Sequence, residues 1–298
     1  MSHLKLGYNL KMTRSSIAPL TVYLTSLRPK QWVKNLLVIA APIAAGQFYT
    51  NLFQLFLGCL SFIFASSLGY LVNDWRDRKS DQVHPMKRNR PFASGELSFK
   101  HFLFLSFFCL TATIAPLFFL PYYFMLALSI YLLITISYSF YIKQVPVLEI
   151  MWLSSGFLIR ALAGSAIINE PATGWFITCL FFGALFMVSG KRLAELKSMS
   201  TVTTRKVINS YSKSFLRSII TMSLSITIIT YCLWVFQVHP NSTFAQVSIL
   251  TFIFTFLMYL FSCDYGDAET PEKLLFSNKY LLTGMSITIF LLLIVFYG

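Results

Sequence analysis

Paired cysteines are missing from this chain. Cys59, Cys109, Cys179, Cys232 and Cys263 stand singly in or at the edge of apolar segments, so neither a disulfide framework nor a zinc site can be read from them, and they serve as small core residues. Charge is scarce too, at 12% of residues, and carboxylates are the scarcer sign, with 11 Asp and Glu against 24 Lys and Arg. Residues 1–33 contain no apolar core followed by a small-residue cleavage site, which speaks against a signal peptide and for a polar, basic cytoplasmic lead. No short-period repeat, second domain or pair of related halves is visible, so residues 34–298 are expected to form one domain. The missing halves also count against a small-molecule transporter, in which polar residues and broken helices recur near the midplane of related halves. What the chain has in abundance is apolar residues, 56% of 298.

About 20 consecutive apolar residues span the hydrocarbon of a bilayer, so this composition excludes an ordinary soluble globule and predicts an all-α polytopic membrane protein. Apolar runs bounded by charge, Pro or Asn predict nine transmembrane helices, at 35–50, 52–72, 102–120, 123–141, 147–168, 172–190, 215–237, 244–263 and 280–297. With the N-terminus placed in the cytoplasm, every Lys and Arg except Arg160 falls in the lead or in segments facing that side, and the opposite side has none. Because Lys and Arg resist translocation, this predicts N-in, C-out in the cell membrane. The net charge of +13 then belongs to a cytoplasmic face suited to anionic lipid headgroups and phosphorylated substrates, with no need of a nucleic-acid partner.

Directly after the second apolar run comes Asn73-Asp74-Trp75-Arg76-Asp77-Arg78-Lys79-Ser80-Asp81. If the helix continues past Val72, Asp74, Asp77 and Asp81 stand at i, i+3 and i+7, within about 60° of one another around the axis. Carboxylates so close repel unless cations sit between them, and an oxygen-only set suits Mg²⁺ bridging to a diphosphate, with Asn73 as a neutral oxygen donor. The bland reading is a solvated helix end paired with Arg76, Arg78 and Lys79. The following stretch, His84 to Gly95, is too rich in Pro and Gly for a long helix. It is expected to be a loop, with His84 as a turn residue and Lys87 and Arg90 folded back toward the aspartates to meet the remaining phosphate oxygens. Arg160 lies about midway along the fifth segment, where a charge costs roughly 2.5–3.5 kcal/mol on insertion scales. It needs an anionic substrate group or, alternatively, Glu149 or backbone carbonyls. Lys143 and Tyr138 are further candidates after the fourth segment. Asp264 and Asp267 in the last long loop could form another metal pair or belong to a solvated loop.

The Asn-Asp-x-x-Asp-x-x-x-Asp string and the basic loop ending Arg90-Pro91, set among nine apolar segments, resemble the UbiA superfamily of intramembrane prenyltransferases. Leu27 to Asn35, Phe157 to Gly164, Gly190 to Leu196 and Tyr211 to Arg217 resemble, more narrowly, its branch of polyprenyl-phosphate phosphoribosyltransferases. The resemblance implies a UbiA-like helical bundle with cytoplasmic active-site loops, and Asp74, Asp77 and Asp81 as catalytic Mg²⁺ ligands. It further implies 5-phosphoribosyl diphosphate and polyprenyl phosphate as substrates in lipid-linked pentose synthesis for the cell envelope. Asn73, Lys87, Arg90 and Lys34 are expected to bind the diphosphate half of the site, Lys143 is a further substrate-binding candidate, and Arg160 is expected to meet the lipid phosphate together with Lys191 and Arg192. Aromatic-acceptor members carry a second Asp-rich motif after the sixth helix, where this chain has Lys191, Arg192 and Glu195. Two cations in that place are expected to attract a lipid phosphate directly, with Glu195 pairing Lys191 or holding a metal or a ribose hydroxyl. The alternative within the family is transfer of a prenyl group from its diphosphate to an aromatic acceptor. The oligomeric state stays open, a homo-oligomer included.

Overall fold

The computed structural model describes residues 19–85, 87–197, 206–265 and 270–297. Eleven α-helices run through them: α1 Leu20–Ser26, α2 Ala40–Ala44, α3 Leu52–Gln82, α4 Phe99–Ile114, α5 Tyr122–Phe140, α6 Leu148–Ile168, α7 Gly174–Lys197, α8 Lys213–Val238, α9 Thr243–Tyr265, α10 Pro271–Ser277 and α11 Lys279–Tyr297. Eight of them (α3 to α9 and α11) are long and apolar enough to cross a membrane. A helix satisfies all its backbone hydrogen bonds internally, which is why an apolar run in hydrocarbon takes this form. Side chains such as Phe104, Phe107, Leu250 and Phe290 point outward, as the surrounding solvent of lipid chains allows.

The first predicted crossing, 35–50, differs. It is a 3₁₀ stretch, Pro29–Ile39, that passes into the short α2 and stops at Gly46, whose φ is 69°. Asn35 in its middle is buried and donates to Ser66 Oγ at 3.2 Å, while its own oxygen accepts from Arg160 Nε at 2.9 Å. Irregular backbone at membrane depth is tolerated only where protein covers it. Here α3 and α6 provide that cover.

The helix α6 runs through the middle of the bundle, packing on α5, α7, α3 and the stretch 29–44. Its small residues make this approach available: Ser154, Ala161, Ala163, Gly164 and Ser165 are all buried. One apolar cluster joins α3, α5 and α6 through Leu55, Phe62, Phe124, Leu128 and Ala163. Another joins α6 to α9 through Ile150, Phe186, Leu216, Ile220 and Tyr259.

At 1.5 Å per residue the 31-residue α3 is about 46 Å long, well beyond a hydrocarbon core of about 30 Å. The helix does continue past Val72, so its acidic final turns project from the apolar slab. Arg28, Arg90 and Lys143 meet those turns with their charges.

A Cβ added at Gly164 would overlap the Val38 carbonyl, whereas one at Gly174 meets nothing within 4 Å. Gly164→Ala is therefore expected to cost about 1–3 kcal/mol, because backbone and not a flexible side chain must move. Melting curves of the purified protein in detergent should fall for Gly164→Ala and stay at the wild-type value for Gly174→Ala.

Candidate active site at the charged end of the bundle

Asp74 and Asp81 are buried, at 4% and 3% exposure, and each is matched by cations. Arg28 reaches Asp74 with Nη2 at 2.5 Å and Nε at 3.2 Å, although it lies before the 3₁₀ stretch. Its φ of 54° is unusual for a residue with a side chain, and it aims the guanidinium at α3, with the Tyr70 ring beneath it at 4.8 Å. Arg90 folds back from the loop after α3, as expected of it. Its Nη1 lies between Asp74 Oδ1 at 3.1 Å and Asp81 Oδ2 at 2.8 Å. On the next part of the face, Lys143 Nζ lies 2.5 Å from Asp77 Oδ1 and 3.4 Å from Asn73 Oδ1. The two buried carboxylates, Asp74 and Asp81, and the partly exposed Asp77 are thus each held by a cation, as burial of charge requires of the first two.

The loop that delivers Arg90 is built on aromatic packing. Trp75 stacks on Phe102 and meets Phe92 and Phe99, while Arg78 covers its ring at 4.0 Å. Gln82 donates to the Ala93 carbonyl, closing the loop on α3. His84 is the turn residue expected of it, its Nδ1 accepting from the Lys87 backbone N–H. Lys87 is half-buried in the short 3₁₀ turn Lys87–Asn89 of this loop.

The residues opposite form a second, deeper cluster. Arg192 is 1% exposed and forks onto Glu149 with Nε at 2.7 Å and Nη2 at 2.6 Å. Its Nη1 takes Glu195 at 2.6 Å, and Nη2 also reaches the Tyr138 hydroxyl at 3.3 Å. The expectation that Arg192 offers its charge to a lipid headgroup is therefore corrected: the guanidinium is turned inward and its forks are taken by two carboxylates. Lys191, beside it on α7, is half-buried. Tyr211 closes this cluster, accepting from the Val147 N–H at 2.8 Å and facing Glu149 Oε1 at 3.4 Å.

Arg160 is 5% exposed and meets neutral groups only among the described residues. Besides Asn35 it donates to the Gly156 carbonyl at 2.7 Å and to the Tyr131 hydroxyl at 2.8 Å. Glu149, the alternative partner, is committed to Arg192. Phe157 lies between Arg160, 5.7 Å from its ring, and the Lys34 ammonium, 5.6 Å away, so these two cations border one patch beside the 3₁₀ stretch. Asp264 is an exposed partner of Lys197 and Arg217, and Asp267 falls outside the described residues.

Among the described residues no three His, Cys, Asp or Glu side chains are gathered around one point. The donor chemistry nonetheless fits a hard divalent cation. Asn73 and Asp77 oxygens converge on one ammonium, and Asp74 and Asp81 oxygens on one guanidinium nitrogen, so in each pair a cationic side chain sits where oxygens meet. Asp74, Asp77, Asp81 and Asn73 could hold the ion once these cations pass to another anion.

A helical membrane bundle with carboxylates and cations interleaved at one end defines a polytopic membrane protein with a polar site at the edge of the bilayer. Residues 36–283 match the model of the UbiA prenyltransferase family, and the chain belongs to that family. It is 36% identical over 268 residues to the decaprenyl-phosphate phosphoribosyltransferase of Corynebacterium glutamicum, covering 86% of this chain and 81% of the relative. Against the protein of that name from Mycobacterium tuberculosis it is 35% identical over 266 residues, covering 86% and 88%. Among solved structures, a UbiA homolog from Archaeoglobus fulgidus bound to GPP and Mg²⁺ superposes with a TM-score of 0.68 at 18% identity, covering 91% of this chain and 99% of that one. The same homolog bound to Cd²⁺ gives 0.70 at 20% identity, covering 92% and 98%. At these identities the likeness is one of fold.

Breaking a fully buried ion pair from one side typically costs about 3–5 kcal/mol, while exposed pairs contribute about 0–1 kcal/mol. Arg192→Ala should accordingly lower the melting temperature markedly. Arg217→Ala, whose side chain is 62% exposed beside Asp264, should leave it nearly unchanged in the same thermal-shift series.

Proposed function

We propose that the chain is a membrane-embedded pentosyltransferase that moves 5-phosphoribose from 5-phosphoribosyl diphosphate to a polyprenyl phosphate and releases diphosphate. The observation that carries this reading is the identity, over 86% of the chain, to relatives named for that transfer. The site chemistry supports it. Asp74, Asp77 and Asp81, with Asn73, would hold a divalent ion, Mg²⁺ on this reading, and the bound ion supplies charge neutralisation to the leaving diphosphate.

The cations now on the carboxylates do the rest of the binding. Arg28, Arg90 and Lys143 pass from Asp74, Asp81 and Asp77 to the diphosphate oxygens, joined by Lys87 from the loop. Arginine forks match such oxygens bidentately, and lysine acts as a point charge. The lipid phosphate enters from the membrane side, toward the patch bordered by Lys34 and Arg160 and toward Lys191, with its tail between helices. Arg192 and Glu195 act from behind, holding α7 and Tyr138 in place.

A phosphate oxygen of the polyprenyl phosphate attacks the ribose anomeric carbon, and the bond from that carbon to the diphosphate breaks with its electron pair leaving on diphosphate. The carbon passes through an oxocarbenium-like state. No general base is needed, because a phosphate monoester has its second pKa near 6 and is largely a dianion at neutral pH. Catalysis is then positioning plus neutralisation of the leaving group. The placement of every Lys and Arg but Arg160 in the lead or in segments on one side supports a cytoplasmic site, with the N-terminus inside and the C-terminus outside the cell membrane. The product would serve lipid-linked pentose supply for the cell envelope.

Purified protein incubated with Mg²⁺, phosphoribosyl diphosphate and polyprenyl phosphate should yield a lipid heavier by one phosphoribosyl group. A gain of mass only in the parallel reaction with a prenyl diphosphate and hydroxybenzoate would replace the reading with aromatic prenylation. Asp77→Asn should abolish transfer in membranes, and a chelator should stop it until Mg²⁺ is restored. Near-normal turnover by Asp77→Asn would sink the ligand assignment.

A further inference from the structure

The connection from α5 to α6 is pinned from both sides. On one side, Arg76 of α3 donates to the Ser139 carbonyl at 2.6 Å, and Lys143 meets Asp77 and Asn73. On the other, Arg192 holds Glu149 and Tyr138, and Tyr211 holds Val147 and Glu149. Between these anchors the backbone makes a turn that its residues do not favour. Val147 has φ 66° and ψ −52°, and the Leu148 N–H donates to the Pro146 carbonyl at 2.7 Å. This is the three-residue turn of the rare, strained hand, and a β-branched residue at positive φ is a true outlier. Such a conformation persists only where its surroundings over-determine it.

Tyr211 is what over-determines it. The residue comes from the chain between α7 and α8, is 6% exposed, and stacks on Phe215 at 6.1 Å. Its hydroxyl oxygen accepts the Val147 N–H while its proton faces the Glu149 carboxylate. Burial pushes this hydroxyl up to about 12, the Val147 N–H works against that shift, and the Glu149 charge adds to it. The group therefore keeps its proton, and remains a donor, throughout the working pH range.

We infer that Tyr211 is a positioning residue for the transfer site: by holding the strained turn at Val147 it sets the α5–α6 connection so that Lys143 stands against Asp77. The assignment rests on the phosphoribosyl-transfer reading for its kinetic consequence, and on geometry alone for its structural one. Lys143 lies within the short 3₁₀ turn Ile142–Gln144, four residues before Val147, so a relaxed Val147 displaces its ammonium first. The Arg28 and Arg90 contacts come from other parts of the chain and are unaffected.

The test is Tyr211→Phe, which keeps the ring and its stacking and removes the hydroxyl. The KM for phosphoribosyl diphosphate should rise about tenfold, the scale of one lost charge-linked hydrogen bond, with kcat within about twofold. A second substitution, Val147→Gly, should restore most of the loss in the Tyr211→Phe background, because glycine takes positive φ without strain and the side chain it removes is 42% exposed. The rate of Lys143 acetylation, read by mass spectrometry against exposed Lys79 in the same sample, needs no turnover. It should rise several-fold in Tyr211→Phe and return toward wild type in the double variant. Wild-type Lys143 reactivity in Tyr211→Phe, or no recovery with Val147→Gly, overturns the positioning role. If wild-type protein fails to transfer phosphoribose while the acetylation pattern holds, the function reading falls and the strut stands.

Discussion

Carboxylates taken out of water must be met by positive charge, and the architecture at the polar end of this bundle follows from that requirement. Asp74 and Asp81 are nearly sealed from solvent, so the chain must bring cations to them. It does so with residues from separate parts of the chain: Arg28 before the 3₁₀ stretch and Arg90 from the loop after α3. Lys143, from the α5–α6 connection, meets the more accessible Asp77. These contacts tie α3 to its neighbours more specifically than apolar packing could, since the apolar clusters accept many arrangements of similar volume. The same need repeats at Glu149, where Arg192 and Tyr211 link α6 to α7 and to the start of α8.

Two charge clusters therefore divide the labour. The outer one, on α3, keeps its cations at the rim, with Arg28 and Arg90 each about a quarter exposed. The inner one is closed, with Arg192 fixed in a bidentate fork. A polar end built of both kinds combines a solvent-accessible rim with a sealed frame behind it. The α5–α6 connection belongs to both clusters, which is why its backbone is the place where their demands collide as strain.

Much of this was legible in the amino-acid sequence, and the boundary of what was legible is physical. Apolar runs mark their helices because the bilayer sets a length that local composition either meets or does not. The acidic face of α3 was legible because its spacing is a property of one helix. Arg90 could be assigned to it since only a short loop separates them. Arg28 was not assigned, although its string was noted, because its contact with Asp74 spans 46 residues and depends on a left-handed backbone that no neighbouring glycine announces. Arg192 was assigned the wrong environment for a similar reason: Glu149, which neutralises it, is 43 residues away. The broken backbone of 29–44 was hidden by its ordinary hydrophobicity, since its cover comes from other helices.

That broken segment bears on how the molecule is assembled. A regular apolar helix is satisfied in a bilayer by itself, whereas the 3₁₀ stretch carries a buried Asn whose side chain finds its partners on other helices. Asn35 finds Ser66 on α3, yet its other partner, Arg160, is made 125 residues later on α6. Arg160 in turn has no cover in hydrocarbon until Asn35 and Tyr131 surround it. Each is an unfavourable membrane insert by itself, and each is the other's remedy. The segment 29–44 and α6 therefore depend on one another: the polar side chain of each is satisfied in hydrocarbon only when the two are in contact.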